Sequence, residues 1–143
     1  LTPSVKIMRK YIFTILSALA LLGCADTKKQ EKLLLDSVIA VHDKVMGSTE
    51  HLMKNKMILD SLIKHDSTTI NKDSAKVYLK LVDDADNAMS DWMHKFDAEN
   101  KGKSHQEIMD YLADQKKKIN VIDSQINIAV NSSNKYLTTT TKK

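Results

Sequence analysis

Five side chains in this sequence carry ligand chemistry: His42, Met46, Met89, Met93 and His94. Thioether sulfur and imidazole nitrogen together suit Cu(I), and no thiolate stands near them to attract zinc. His42, Met46, Thr49, Met53 and Met57 follow spacings of four, three, four and four, which places them along one flank of a helix. Met89, Trp92, Met93 and Phe96 share helical spacing further on. A hairpin turning near Thr68 brings His42 beside Met93 and His94, and Met46 beside Met89 and Ser90. The competing assignment is plain packing. Methionine fills irregular core gaps, Trp92 anchors a core, His42 bonds Asp43 or another neighbour, and His94 faces solvent. The chain is read as cofactor-free, with Cu(I) as the alternative. A haem held by Met and His axial ligands in a bundle is a further possibility, but covalent attachment is excluded because Cys-x-x-Cys-His is absent.

Catalysis finds less support. Asp83, Asp84 and Asp86 cluster with Asp91 nearby, and such runs form solvated faces. No Ser-His-Asp order, His-Glu-x-x-His or Gly-rich phosphate loop is present. A small three-helix domain is also expected to offer little concave pocket. The chain is therefore read as not an enzyme.

The elements that position these residues are helices. After Cys24 there is no proline, and Gly47 and Gly102 are the sole glycines, too little turn punctuation for a sheet. Leu34, Val38, Val41, Val45, Ser48, Leu52, Asn55, Leu59 and Leu62 recur at alternating spacings of four and three. Ala75, Tyr78, Val82, Ala85, Met89, Trp92 and Phe96 repeat the pattern, as do Ile108, Leu112, Gln115, Ile119, Ile122, Ile126 and Ala129. Three heptad-like seams predict an all-α, antiparallel up-down-up three-helix bundle over residues 33–137. Its core is expected to include Val38, Val41, Val45, Leu52, Leu59, Val82, Met89, Trp92, Ile108, Ile119, Ile122 and Ile126.

The first helix is expected from Gln30 to Ile63, with a bend at Gly47-Ser48. A complete break there would give four helices. Lys64–Lys72 and Ala98–Lys103 read as loops, with Asn71 or Asp73 capping the second helix. Ser104 and Glu107 form a capping box that starts the third. Residues 138–143 read as a frayed, disordered tail.

The N-terminal region has a different character. Arg9 and Lys10 precede an apolar run from Tyr11 to Leu22, interrupted by Thr14 and Ser17. This is the charged start and apolar stretch of a secretory signal, too short to cross a bilayer as a helix. The ending Leu21-Leu22-Gly23-Cys24 resembles the lipobox of bacterial lipoproteins. The resemblance implies cleavage after Gly23, diacylation of Cys24 and membrane anchoring. Residues 1–23 are then a signal peptide, with Met8 its expected start, and residues 24–32 are the lipidated Cys and a tether.

Cleavage changes the charge. Removing Lys6, Arg9 and Lys10 from 22 basic residues leaves 19 lysines against 18 acidic residues, and no arginine. Nucleic-acid readers favour arginine for bidentate contacts, so no nucleic-acid partner is expected. With Cys24 the single cysteine, an intramolecular disulfide and a Cys nucleophile in the folded domain are excluded.

The strings Val41-His-Asp-Lys-Val-Met46 and Met89-Ser-Asp-Trp-Met-His-Lys-Phe96 resemble a group of small helical lipoproteins of the Bacteroidota, labelled viral A-type inclusion protein. That group carries a proline after the first Met, where this chain has Gly47. The resemblance implies a lipidated helical domain and supplies no reaction. Surface export in such bacteria resembles a rule requiring acidic residues after the Cys. Ala25-Asp-Thr-Lys-Lys-Gln has one acid and two lysines, which implies a periplasm-facing domain, and Ala25 instead of Asp directly after the Cys resembles the enterobacterial signal for the outer rather than the inner membrane. The expected function is a non-enzymatic interaction or scaffold protein, partnered by an envelope protein or by a second copy.

Overall fold

A computed structural model describes residues 3–65 and 72–140, with side chains from Asp26 onward. Three helices make up the fold: α1 (Pro3–His65), α2 (Lys72–Lys95) and α3 (His105–Thr140). Each packs against the other two. Contacts set the directions. His42 meets Trp92 while Lys56 meets Asp83, so α1 and α2 are antiparallel. Glu31 meets His105 and Lys44 meets Asp123, so α1 and α3 are parallel. The result is an up-down-up three-helix bundle.

The seams become the core. Val38, Val45, Leu52, Leu59, Val82, Met89, Trp92, Ile108, Ile119, Ile122 and Ile126 are all buried. Val41 departs from expectation: it is partly buried and packs at the margin of the cluster. Each apolar face is removed from water only by the other two helices, so burial rather than intrinsic propensity holds the elements together.

Polar seam positions are buried too. Asn55 Nδ2 donates to Ser133 Oγ at 2.8 Å and to Asn134 Oδ1 at 2.9 Å. Ser133 Oγ donates in turn to the Ala129 carbonyl at 2.6 Å. A polar group inside a heptad seam favours one helix register over its neighbours.

The helix ends differ from expectation in instructive ways. α1 begins before Gln30, and the stretch read as a tether is helical. Local pairs favour this: Gln30 Nε2 donates to Asp26, Lys28 pairs with Glu31, and Lys32 with Asp36. Glu31 also reaches His105 at the start of α3. α1 runs through Gly47 unbroken, so the four-helix alternative is not adopted. α3 continues to Thr140 instead of fraying at Thr138, because Leu137 is buried and Thr138 and Thr140 bond carbonyls one turn back. Asn71 lies outside the described residues, as do positions 66–71 of the first loop and 141–143 of the tail.

The second connection is a built loop. Asp97 Oδ1 accepts from the backbone N–H groups of Glu99 and Asn100, both at 3.1 Å. Lys103 Nζ bridges Asp97 Oδ2 and Asn100 Oδ1. Asn100 and Gly102 adopt positive φ, 50° and 77°, which Asn and Gly tolerate best. The capping box then opens α3: the Ser104 N–H donates to Glu107 Oε2 at 2.7 Å, and the Glu107 N–H to Ser104 Oγ at 3.4 Å.

Candidate functional site

Trp92 is where the surfaces of interest meet. Its indole is buried, with 7% of the residue exposed, and its Nε1–H has no hydrogen-bond partner. It forms one wall of a recess between α1 and α2 and part of the floor of a groove between α2 and α3.

The recess, about 240 Å³, is lined by Ile39, His42, Trp92, Met93 and Phe96. His42 is half-buried, and its ring centroid lies 6.1 Å from that of Trp92. His42 Nδ1 lies 2.9 Å from Asp43 Oδ1. A carboxylate only accepts, so Nδ1 is assigned the hydrogen and Nε2 keeps its lone pair in the neutral ring. The hairpin thus brings His42 and Met93 together as the sequence predicts. The other three predicted residues fall differently. Met46 is 41% exposed and lies one turn past His42 on α1. Met89 is in the core, 2% exposed. His94 is exposed, and its Nδ1–H donates to the Ser90 carbonyl at 2.7 Å, within its own helix. Neither Met89 nor His94 lines the recess.

The groove between α2 and α3 departs from the expectation of little concavity. It encloses about 490 Å³ over Trp92, Gln115, Val121 and Ile122, flanked by Asp91, Lys95, Lys117 and Lys118. Val121 stands 57% exposed on its wall. Lys118 pairs with Asp114, whereas Lys95 and Lys117 make no ion pair within the described residues. Trp92 in the second seam and the Lys116-Lys117-Lys118 run were visible in the sequence. Their placement on one groove depends on the rotation of α3, which periodicity alone leaves open.

A second feature escaped sequence reading. Trp92 stacks on Phe96 at 4.8 Å, Phe96 on Tyr111 at 6.2 Å, and Lys103 Nζ sits 4.2 Å from the Tyr111 centroid. With His42 this forms a ladder of rings across all three helices, closed by a cation–π contact.

Elsewhere the carboxylates singled out in the sequence make ion pairs at two positions. Asp83 pairs with Lys56 and Asp84 with Lys80. The Asp83 carboxylate hydrogen bond is the main cause holding the Lys56 ammonium above its ordinary pKa. A further cavity of about 410 Å³ beside the second loop collects Lys28, Lys32, Lys101 and Lys103, but each pairs with a carboxylate. Among the described residues, no group of three or more His, Cys, Asp or Glu side chains is placed to hold an ion. No described helix is long and apolar enough to cross a membrane. The Cys24 side chain lies outside the described residues. No protein-family profile, curated protein or solved structure matches the chain.

Proposed function

We propose that this chain is a membrane-anchored envelope lipoprotein of the small helical Bacteroidota type, whose bundle works by docking a partner instead of by catalysis. Cys24 carries the acyl chains, and the domain faces the periplasm, on the outer membrane in preference to the inner. Two or more acyl chains make such attachment stable where one chain is marginal.

The observation that carries the docking reading is the groove over Trp92. An apolar floor, an exposed Val121 and a rim on which Lys95, Lys117 and Lys118 outnumber Asp91 fit an acidic amphipathic segment of an envelope protein.

A photo-crosslinking residue at position 121 of the acylated full chain tests this in native envelopes. A discrete adduct is expected at 121 and not at the exposed Asn87 of α2. It should be lost when Lys95→Glu and Lys117→Glu are combined. Equal adducts at both positions, or none, would overturn the docking reading. Labelling with a fatty-acid probe tests the anchor separately: wild type takes the label and Cys24→Ala does not.

A further inference from the structure

We propose that His42, Met46 and Met93 form a Cu(I) site against the face of Trp92. It does not rest on the docking reading or on the lipid anchor, although Trp92 also floors the groove. His42 and Met93 come from different helices and line one recess with Trp92, Phe96 and Ile39. The bond from Nδ1 to Asp43 directs the Nε2 lone pair to a ligand role. Ligating histidines are characteristically oriented this way, with a carboxylate holding the other ring nitrogen. Met46 lies four residues past His42, on the same face of α1 one turn along. Its three rotatable bonds let the sulfur swing to the rim of the recess and complete a trigonal NS₂ set.

The chemistry of the recess selects the ion. One imidazole and two thioethers are soft, neutral donors that match a soft monovalent cation. No carboxylate lines the recess, so hard divalent ions lack their preferred oxygen ligands. Zinc finds no thiolate. The apolar walls disfavour high charge, and the His42 ring lies 6.1 Å from the Trp92 ring, so an ion held by His42 comes within the reach of the indole quadrupole. Exposure leaves the Met46 and Met93 sulfurs open to an incoming ion, as it does those of Met53 and Met57, which lie further along α1 and away from the recess. Met46 and Met93 are each 41% exposed, whereas Met89 is 2% exposed. A thioether half in water contributes little packing that leucine would not supply better. The site therefore drops two of the five residues that sequence spacing suggested, Met89 and His94.

The test uses the full chain carrying Cys24→Ser, so that a free thiol does not capture the metal. Cu(I) is titrated anaerobically in competition with a chromophoric chelator while Trp92 fluorescence is followed. One equivalent should bind, with quenching of Trp92 that saturates at that point. Met93→Leu, which nearly preserves volume and fold, should weaken binding by more than about 10-fold, as should His42→Gln. Asp43→Asn should weaken it by about 10-fold, the usual size of an outer-sphere effect. Met89→Leu and His94→Gln should leave it unchanged. Absence of stoichiometric binding would overturn the proposal. So would binding that survives Met93→Leu together with His42→Gln, or that falls as far in His94→Gln.

Discussion

Asn55 and Ser133 lock α1 to α3: the Asn55 amide donates to the Ser133 hydroxyl at 2.8 Å inside the core. Asn55 is 4% exposed and Ser133 is fully buried. Ser133 passes its own hydrogen to the Ala129 carbonyl, so it stays satisfied as a donor if Asn55 is lost. Asn55→Ala should then cost about 1–3 kcal/mol through the lost bonds and the small void. Ser133→Ala should cost less, about 0.5–1.5 kcal/mol. Chemical denaturation of both single variants and the double variant should give a coupling of at least about 0.5 kcal/mol. Strict additivity would mean that the bond contributes nothing to the register.

Gly47 invites a different change. It sits in the interior of α1, in its C-terminal half, and a Cβ placed there meets nothing within 4 Å. The helix is continuous across it, with ordinary helical backbone that any residue adopts. Gly47→Ala should stabilise the fold by about 0.5–1 kcal/mol by lowering the entropy of the unfolded chain. Thermal melting reads this as a higher Tm. A lower Tm would show that α1 needs glycine at this position, as the bend expected at Gly47-Ser48 would require.

Trp92→Ala should cost about 3–5 kcal/mol, because the indole is 7% exposed and stacks on Phe96. Trp92→Phe keeps the ring stack and removes the unpartnered Nε1–H, so it should be far milder. Denaturant melts of the two variants compare these terms directly. A near-neutral alanine variant would place Trp92 on a surface used mainly for binding.

The heptad seams were legible because period alone decides which face is buried. Gln115 and Asn55, polar residues on that period, are buried with the rest. The hairpin register was close: His42 meets Trp92, one and two residues from Met93 and His94. Met89 and Met46 look alike in composition, yet only Met89 lies on the inner seam, and only Met89 is in the core. The α2–α3 groove was not legible, since it depends on how far α3 rotates against Trp92. The second loop was equally opaque. Its order comes from Asp97, Asn100, Lys103 and Tyr111 converging in space, and a polar loop sequence does not announce that convergence. Helix length was underestimated at both ends. Short-range pairs such as Lys28–Glu31 and Gln30–Asp26, and the buried Leu137, extend helices past where apolar periodicity fades.

Acid should loosen the two ends of the second loop first. Glu107 has its carboxyl held below the ordinary 4.5, chiefly because it accepts the Ser104 backbone N–H and then the Ser104 hydroxyl. Asp97 lies below its ordinary 3.8 through its bond to Lys103 and then the Asn100 N–H. Glu31 is lowered by Lys28 first and His105 second. A depressed carboxyl pKa means that the unfolded state binds protons more readily. The stabilisation is therefore present above the ordinary value and is lost as pH falls through the folded one. Tm should be level from neutral pH down to about 5 and then decline as these carboxyls protonate. Glu107→Gln removes one titrating group while keeping a side chain able to bond at this helix position. The Tm gap between wild type and Glu107→Gln should be largest near neutral pH and should shrink as pH falls below 4.5. Because hydrogen bonds outrank the Lys103 charge among its causes, about 0.5 M salt should leave most of that gap in place. A gap that stays constant down to about pH 3 would show that the capping box does not depend on the ionised carboxylate.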